Sequence, residues 1–447
     1  MEARIRELLD TRDLKTLKEI MEEKTPADLA EFIEKNEKEA VLIFRLLNKD
    51  TAAEVFAHLD SDEKIKIVES INDAKLKNLL EELYFDDMID FLEEMPSAVV
   101  KRVLKNCKPE NRTLINQFLS YEKESAGSLM TIEFLSLKRS WSVGHSLEYI
   151  RRNARKIETL DTAYVTDKNR KLEGQISLKE LLHNHDREII ADIMERDVLS
   201  IKTSTNQEQA VELFKKYDLN VLPVLDKDNL LVGIITIDDV VDVIEEENTE
   251  DFQKMAAMAP SKEEYLDTPV LTLARNRLAW LLVLMISATF TGSIISKYEE
   301  IIEQMVILAA SIPMLMDTGG NAGSQSSTLI IRGMALGEVK ISDYLKVIWK
   351  EFRVSLLVGL GLGSVNFLRM RYMLGQDLKI SLLVSFTLGV TVVIAKLVGG
   401  LLPIGAKKLK LDPAIMAGPL VTTVVDALAL VIYFYLAMFL YRDVLVF

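Results

Sequence analysis

One apolar stretch limits what this chain can fold into more than any other feature. Residues Leu278–Ser296 are 19 residues without a charge, and Arg275, Arg277 and Lys297 stand at the two ends. About 20 apolar residues are needed to cross the hydrocarbon core of a bilayer, so this stretch predicts a membrane-spanning helix. A large soluble protein with buried core helices would not explain why four further apolar segments follow it.

Those four segments complete the prediction of an all-α membrane domain with five helices over residues 271–447. They lie at about Ile301–Ile331, Val354–Leu368, Ile380–Leu402 and Pro413–Tyr441, and the first of them is interrupted. With the N-terminus inside, ten Lys and Arg flank the cytoplasmic ends of the five helices and five flank the outer ends. This follows the positive-inside bias and puts the C-terminus outside the cell.

The charge of the 447-residue chain is divided unevenly between two parts. Residues 271–447 hold 16 basic and 11 acidic side chains, a net charge of +5, whereas residues 1–270 hold 38 basic and 57 acidic ones, a net charge of −19. The acidic part would repel phosphate backbones, which argues against nucleic acid as a partner. Its first 30 residues are charged throughout, so we expect no signal peptide and a cytoplasmic position. The single cysteine, Cys107, excludes an intramolecular disulfide.

Residues 1–125 have the pattern of a helical domain. Apolar residues recur three and four positions apart. Residues Asp50–Leu59 align with Asp86–Met95 at a spacing of 36, which is typical of stacked helical repeats. We therefore predict an all-α superhelical N-terminal domain. Three prolines stand where helices are expected to begin: Pro26, Pro96 and Pro109.

Two stretches further along the acidic part resemble each other. Residues Val165–Ile176 and Val224–Ile235 share six identical positions; in each, a turn beginning Asp-Lys separates two apolar runs, and a glycine follows where we expect a backbone bend. Each copy reads as strand, helix, strand, turn, strand, helix. This pattern resembles a tandem pair of CBS domains, an α/β module, which we place at residues 126–190 and 191–246. The alternative is that the CBS pair is a structural module that binds no ligand, because a fold alone does not give a function.

The segment that leads from the second CBS copy to the membrane domain is strongly acidic. From Asp238 onwards its apolar residues have helical spacing, and we predict a long connecting helix over residues 247–270. Its carboxylates crowd onto neighbouring turns, where like charges destabilise a helix. Divalent cations with oxygen ligands would offset that repulsion, whereas a solvated charged face is the simpler alternative.

A run of small and polar residues interrupts the second apolar segment of the membrane domain. It extends over Pro313–Ser327 and reads PMLMDTGGNAGSQSS. Irregular backbone at membrane depth is tolerated only where protein or a watery cavity satisfies its polar groups, so we expect glycines that let helices approach or expose carbonyls to an ion. A re-entrant or cytoplasmic loop without ion contact is the alternative.

A lone carboxylate, Asp426, lies far from either end of the last apolar segment. A charge at such depth costs ~2.5–3.5 kcal/mol, so it predicts a functional residue; an ion pair with Lys396 is the structural alternative to cation binding. Thr422 precedes Asp426 by one turn, and Gly418-Pro419 is expected to break the helix and free carbonyl groups. These are hard oxygen ligands of the kind that Mg²⁺ and Ca²⁺ prefer.

No arrangement of catalytic residues is apparent in the sequence. The four histidines all lie before the membrane domain, and neither the H-E-x-x-H pair of a metalloprotease nor a G-x-x-x-x-G-K-[ST] phosphate-binding loop occurs. We therefore predict that the chain is not an enzyme.

Two stretches of the membrane domain carry a family resemblance. They are TGGNAGSQS at Thr318–Ser326 and the stretch from Asp412 to Asp426. Together with the helical domain, the CBS pair and the five predicted spans, they resemble the MgtE family of magnesium transporters over almost the whole chain. The resemblance implies a homodimer in the cell membrane, with a pore along the two-fold axis. Family members often carry Asn where this chain has Gly418, so that side-chain ligand is missing here. The pore residues implied for hydrated Mg²⁺ are Asp426, Thr422, Asn321, Gly319 and Gly320.

The same resemblance implies regulation by cytosolic Mg²⁺. In the family, the acidic cytosolic domains bind several Mg²⁺ ions when intracellular Mg²⁺ is high, and this closes the pore. One acidic position of the family is Asn206 here, which leaves one regulatory site fewer or weaker. The resemblance leaves open whether ATP binds the CBS pair. The matching positions are Asp86, Asp90, Glu208, Asp218, Asp239, Asp242, Glu247, Glu250 and Asp251.

Two other functions stay open. The same architecture could move Co²⁺ or Ni²⁺: no His, Cys or Met surrounds Asp426 in the sequence, which disfavours softer metals, but Met314 and Met316 keep the question open. A membrane-anchored sensor, in which the CBS pair binds a nucleotide and signals to a partner, is the second alternative.

Overall fold

The structure is a computed structural model that describes residues 8, 11, 13–36, 38–261, 265–266 and 268–441. The chain divides into two compact units, residues 1–244 and residues 245–447. Two parts of the predictions lie outside the described residues: positions 262–264 and 267 of the connecting segment, and the C-terminal end from Arg442 onwards.

Short helices make up the first half of the first unit. Side-chain caps begin several of them; for example, Thr25 and Asn48 each accept a hydrogen bond from the backbone N–H three residues on. The prolines stand where predicted: Pro26 and Pro109 open their helices, and Pro96 directly precedes one. The helices are α1 (Leu14–Glu22), α2 (Pro26–Glu34), α3 (Ala40–Leu46), α4 (Lys49–His58), α5 (Ser61–Ser70), α6 (Asp73–Leu80), α7 (Phe85–Glu94), α8 (Ser97–Asn106) and α9 (Pro109–Phe118).

The predicted 36-residue repeat corresponds to two equivalent helices, α4 and α7. Phe56 of α4 and Phe91 of α7 are both buried and meet edge to face, with ring centroids 5.1 Å apart. Phe44 of α3 packs on the other side of Phe56 at 6.1 Å. The aromatic rings therefore join successive repeats into one apolar core, and the prediction of a helical domain is confirmed.

The second half of the first unit contains the same small sheet twice. In the first sheet β1 pairs parallel with β2, and β2 pairs antiparallel with β3; the second sheet repeats this with β4, β5 and β6. This is the predicted pair of CBS modules. The elements are α10 (Ala126–Leu129), β1 (Ser136–Lys138), α11 (Val143–Asn153), β2 (Thr162–Thr166), β3 (Leu172–Ser177), α12 (Leu178–His183), α13 (Ile190–Ile193), β4 (Ile201–Lys202), α14 (Gln207–Tyr217), β5 (Val221–Leu225) and β6 (Leu231–Thr236).

The Asp-Lys turns fold as expected, and the glycines after them also allow a close backbone contact. Asp167 and Asp226 each accept hydrogen bonds from the backbone N–H groups two and four residues on, which fixes both turns. Gly174 and Gly233 lie inside strands, each at the point where the register of the strand pairing shifts. A Cβ on Gly174 would lie 2.7 Å from the carbonyl oxygen of Glu195, and a Cβ on Gly233 would meet residue 131 equally closely. Close backbone approach therefore requires these glycines.

The connecting helix, α15, begins where the helical spacing from Asp238 onwards predicts, but it ends earlier than predicted. It runs over Ile237–Met255, so it begins inside the segment assigned to the second CBS copy. The described residues between Met255 and the first membrane helix are turns and irregular backbone, although residues 247–270 were predicted to be helical. The sequence predicted helix here because the alanines and methionines after Met255 favour a helix. Pro260 and Ser261 disfavour its continuation.

Long helices make up the second unit. Four segments are long and apolar enough to cross a membrane, considering only the described residues: Val270–Lys297, Ile341–Met373, Leu378–Lys408 and Pro413–Leu440. The helices are α16 (Val270–Lys297), α17 (Glu299–Gln304), α18 (Val306–Ala335), α19 (Tyr344–Leu368), α20 (Leu378–Lys408) and α21 (Gly418–Leu440).

The fifth long helix, α18, corrects one expectation. Its 30 residues form one continuous helix that includes Pro313 and the whole glycine-rich run, so the predicted interruption of the backbone is absent. The small and polar residues lower its apolar character, which is why it falls outside the four candidate spans. Within a continuous helix, the glycine carbonyls accept helical hydrogen bonds. The glycines therefore serve helix packing.

Candidate functional site

The carboxyl group of Asp426 lies on α21 in the interior of the second unit. Its Oδ1 atom is buried and has no hydrogen-bond partner among the described residues. Removing a carboxylate oxygen from water without a donor is costly, so the group needs a positive or proton-donating partner. A hydrated cation meets that requirement.

Glycines bring α18 directly against the helix that carries Asp426. A Cβ on Gly320 would lie 2.7 Å from Cγ2 of Thr422, and a Cβ on Gly319 would lie 3.0 Å from Cγ1 of Val425. Only glycine leaves room for this approach. The structure therefore brings together the predicted residues Gly320 and Thr422, and it packs Gly319 against Val425, the residue before Asp426.

Asp317 is a second carboxylate near this site that the sequence reasoning did not select. The side-chain amide of Asn321 donates a hydrogen bond to Oδ1 of Asp317 at 3.2 Å, one helical turn away, and the charge of Asp317 acts on Asp426. Both Asp317 and Asn321 are exposed on the surface of the single chain. Their spacing of four residues within an apolar segment was the available signal.

Two threonines of α20 are also polar groups without a described partner. The hydroxyls of Thr387 and Thr391 are buried and make no hydrogen bond to any described residue. Cγ2 of Thr391 lies 2.8 Å from the position of a Cβ on Gly319, so this threonine adjoins the glycine contact. Buried hydroxyls without a protein partner indicate positions that water can occupy.

The carbonyl groups expected to be free at the start of α21 are in fact engaged. The hydroxyl of Thr422 donates to the carbonyl oxygen of Gly418 at 2.9 Å, and that of Thr423 donates to Pro419 at 2.9 Å. A carbonyl and a hydroxyl oxygen each keep a further lone pair, so both remain possible acceptors. The predicted break of the helix is present, because a 3-10 turn over Pro413–Met416 ends at the extended residue Ala417 and α21 begins only at Gly418.

Lys396 does not pair with Asp426 in the described structure. Its ammonium group donates to Oε1 of Gln325 and to Oγ of Ser326, both at 3.4 Å. The ion-pair alternative for Asp426 is therefore wrong for this structure.

Gly418 has a specific structural reason to be glycine. Its φ is +37°, and a Cβ there would lie 2.9 Å from the carbonyl oxygen of Met255 at the end of α15. An asparagine at this position would meet that carbonyl. The missing side-chain ligand is thus linked to a close contact between the connecting helix and the start of α21.

The end of α15 also makes ionic contacts within the second unit. Lys254 pairs with Glu250 on its own helix and with Asp412, which precedes α21. Burial lowers the pKa of Lys254, but the hydrogen bonds that its ammonium group donates to Asp412 and Glu250 outweigh that effect and raise the pKa. Burial, followed by repulsion from Asp412, raises the pKa of Asp251 from 3.8 to about 6. Two predicted regulatory residues, Glu250 and Asp251, therefore adjoin Asp412.

Carboxyl groups from several elements converge in the first unit. Thr236 donates to Asp239 at 2.7 Å and Thr131 donates to Glu133 at 2.9 Å, whereas Oε2 of Glu158 is buried without a hydrogen-bond partner among the described residues. The sequence pointed to only two members of this group, which we call the carboxylate cluster. Its members are Asp86, Asp87, Glu133, Glu158, Asp238 and Asp239.

The carboxylate cluster is under electrostatic strain. Burial, with repulsion from Asp239 second, raises the pKa of Asp86 well above its ordinary value. Burial also raises the pKa of Glu158 from 4.5 to about 8 and that of Asp239 from 3.8 to about 7, and neighbouring carboxylates add to both shifts. Positive charge at this point would relieve the repulsion.

The other predicted regulatory residues of the first unit are not brought together. Glu208 lies in the first turn of α14 and Asp218 caps its other end, so they are roughly 15 Å apart along the helix axis. They cannot bind one ion between them. Asn206 caps the start of α14 by accepting a hydrogen bond from the N–H of Glu208. Asp90 and Asp242 are exposed, and Glu247 lies on α15 beyond the boundary of the unit.

The two methionines that kept softer metals open have other surroundings. Met314 and Met316 pack against an apolar cluster of the second unit. The guanidinium of Arg369 contacts the sulfur of Met314 at 3.0 Å. The described contacts of these two side chains are therefore with the apolar cluster and with Arg369.

A bundle of membrane-length helices around an orphaned carboxylate, attached to a helical domain and a CBS pair, defines an integral membrane cation transporter with regulatory domains. Residues 312–436 match the family described as divalent cation transporter, MgtE. Residues 24–124 match the MgtE intracellular N domain, and residues 190–246 match the CBS domain.

Similar proteins point to the same family. The chain is 36% identical over 444 residues to the magnesium transporter MgtE of Thermus thermophilus, covering 98% of both chains. It is 30% identical over 431 residues to the magnesium transporter MgtE of Bacillus subtilis, covering 96% of this chain and 95% of the relative. The chain therefore belongs to the MgtE family of magnesium transporters.

Solved structures similar to the first part of the chain agree. The cytosolic domain of the Mg²⁺ channel MgtE in complex with ATP is 34% identical, with a TM-score of 0.52, and covers 54% of this chain and 100% of that one. The soluble part of a magnesium transporter is 28% identical, with a TM-score of 0.52, and covers 55% of this chain and 97% of that one.

Proposed function

We propose that this protein is a magnesium channel of the cell membrane that conducts Mg²⁺ past Asp426 and is closed by Mg²⁺ bound to its acidic cytosolic part. The observation that carries the proposal is the buried, partnerless Oδ1 of Asp426 beside Asp317 and the glycine contact. Oxygen ligands suit Mg²⁺, which gives up its water reluctantly, so the carboxylate would hold a largely hydrated ion.

Import through such a site needs no nucleotide hydrolysis. An inside-negative potential is worth ~2.3 kcal/mol per charge per 100 mV, so a divalent ion gains ~4.6 kcal/mol on entry. The protein then has to provide selectivity and a gate.

The gate is proposed to use the repulsion within the carboxylate cluster. Mg²⁺ that binds there would stabilise the closed arrangement. Loss of Mg²⁺ would favour separation of the helical domain from the CBS pair, because their carboxylates repel one another. Among the described residues, no three Asp, Glu, His or Cys side chains already stand in a metal-binding arrangement. Bridging water in the shell of Mg²⁺ would complete its coordination.

A homodimer is proposed because one chain leaves polar groups uncovered. Asp317 and Asn321 are exposed on a helix of membrane length, where contact with lipid would be costly. A second copy across a two-fold axis would cover them and bring two Asp426 carboxylates to one pore. We also propose that the C-terminus lies outside the cell, and that ATP binds the CBS pair, because the similar cytosolic domain of the Mg²⁺ channel MgtE was solved in complex with ATP.

Ion uptake by the full chain in proteoliposomes tests the pore. Asp426→Asn is expected to abolish Mg²⁺ uptake, because the amide cannot hold the ion, whereas Asp377→Asn serves as the control since asparagine can also cap α20. Uptake that is unchanged in Asp426→Asn would overturn the assignment of the pore to Asp426, and absence of Mg²⁺ uptake by the wild type would favour a membrane-anchored sensor. Uptake of Co²⁺ or Ni²⁺ in preference to Mg²⁺ would show that the transported ion is a softer divalent cation.

A further inference from the structure

Three buried polar side chains meet where three membrane helices pack together. Ser326 of α18, Glu351 of α19 and Lys396 of α20 are 1%, 8% and 5% exposed. The hydroxyl of Ser326 donates to Oε2 of Glu351 at 2.6 Å and accepts from Nζ of Lys396 at 3.4 Å. A hydroxyl has one proton and two lone pairs, so Ser326 can serve both partners at once. We call this set the serine junction.

The serine junction balances two buried charges of opposite sign. Neither Glu351 nor Lys396 forms an ion pair within 4.0 Å to any described residue, so the bridge through Ser326 links the two charges, and Gln325 accepts a second hydrogen bond from Lys396. Breaking such a set by removing one charge leaves the other buried and unpaired, which is far more damaging than removing both. This asymmetry makes the junction testable.

The serine junction lies beside a close contact between the backbones of two helices. A Cβ on Gly399 of α20 would overlap the carbonyl oxygen of Gly323 of α18, so the two backbones touch one turn away from Ser326. The next residue, Ser327, donates to the carbonyl oxygen of Met416 at 2.7 Å, just before α21. Two adjacent serines therefore attach α18 to α19, α20 and the start of α21.

We propose that the serine junction is a positioning device for transport: it fixes the rotation of α18, and thereby the place of Asp317 and Asn321 relative to Asp426. Asp317 and Asn321 lie on the same helix as Ser326, nine and five residues before it. A rigid helix transmits a rotation at Ser326 to both side chains. Glu351 and Lys396 act through α18 and do not touch the ion. The inference rests on the proposed role of Asp426 in the pore.

Uptake kinetics of the full chain in proteoliposomes test the junction. Glu351→Gln and Lys396→Met are each expected to lower the maximal Mg²⁺ uptake about tenfold and to shift the half-saturating Mg²⁺ concentration about threefold. The double variant is expected to recover most of both, because no unpaired charge remains. Wild-type kinetics in the single variants, or losses that simply multiply in the double variant, would overturn the proposal.

The hydroxyl provides an independent measurement if a charge variant fails to fold. Ser326→Ala should shift the half-saturating Mg²⁺ concentration, and Ser326→Thr, which keeps the hydroxyl, should restore it. Ser355→Ala is the matched control, because Ser355 is buried one turn after Glu351 and bonds only within its own helix. Equal kinetics in Ser326→Ala and Ser355→Ala would overturn the proposal. If Asp426→Asn also transports normally, the assignment of the pore to Asp426 fails. If Asp426→Asn loses uptake but the junction variants keep wild-type kinetics, only the positioning role fails.

Discussion

The ammonium group of Lys254 lies 2.6 Å from a carboxylate oxygen of Asp412. Lys254 ends the connecting helix, and Asp412 precedes the helix that carries Asp426. In the same place, the carbonyl of Met255 occupies the space beside Gly418. The connecting helix is therefore attached to the start of α21 by a charge that belongs to the chain itself, independent of bound ions.

Removing that charge is expected to weaken inhibition by Mg²⁺. Lys254→Met leaves Glu250, Asp251 and Asp412 to repel one another, so the half-inhibitory Mg²⁺ concentration should rise about two- to fivefold. The effect is modest because a partly exposed ion pair is worth only ~0.5–1 kcal/mol. Mg²⁺ uptake at several cytosolic-side Mg²⁺ concentrations measures it. Lys254→Arg is the control, and an unchanged half-inhibitory concentration in Lys254→Met would contradict the attachment.

The glycine contact between α18 and α21 predicts a compensating pair. Gly320→Ala should reduce uptake and destabilise the protein by ~1–3 kcal/mol, because the new Cβ would overlap Cγ2 of Thr422. Thr422→Ser removes that methyl group and should restore much of the loss in the double variant. Thermal unfolding and uptake are the measurements. Gly361→Ala, which has open space around it, is the control; the idea fails if it costs as much as Gly320→Ala.

The carboxylate cluster predicts that stability depends on pH in the absence of divalent ions. The pKa of Glu158 is raised from 4.5 to about 8 and that of Asp239 from 3.8 to about 7. Because the folded state then holds protons that the unfolded state has lost, the free energy of unfolding falls as pH rises from about 4 to about 8. Above that range both states are ionised and the loss is complete.

Scanning calorimetry of the full chain in a chelator, from pH 5 to pH 8.5, checks this slope. Glu158→Gln should flatten it, and added Mg²⁺ should restore stability mainly at the alkaline end. Glu148→Gln is the matched control, since Glu148 is exposed and pairs with Arg152 on its own helix. A slope that is the same in wild type and Glu158→Gln would refute the assignment of the strain to this cluster.

The sequence predicted the elements better than their contacts. The 19 uncharged residues at Leu278–Ser296 lie within α16, and the 36-residue repeat lies in equivalent helices. Such features depend on neighbouring residues and their periodicity, so they can be read along the chain. The predicted break in α18 was wrong because it considered the helix alone. Glycine weakens an isolated helix, but close packing at Gly319 and Gly320 compensates.

The residues of the candidate site could be identified only from the sequence and the tertiary structure together. The cost of a charge in hydrocarbon marks Asp426 from the sequence alone, because membrane depth follows from segment length. Asp317 could have been found from its spacing to Asn321. No pattern along the chain indicated that Lys396 would turn to Ser326 and away from Asp426.

What the sequence by itself determined is therefore the set of helices and strands, the membrane segments, the distribution of charge and the family. Only the tertiary structure decided which groups share a site: Glu133 and Glu158 with Asp86 and Asp239, Lys254 with Asp412, and Ser326 with Glu351. The physical reason is that hydrogen bonds and electrostatic repulsion act over a few ångströms in space. Residues distant in the chain come within that range only when helices pack.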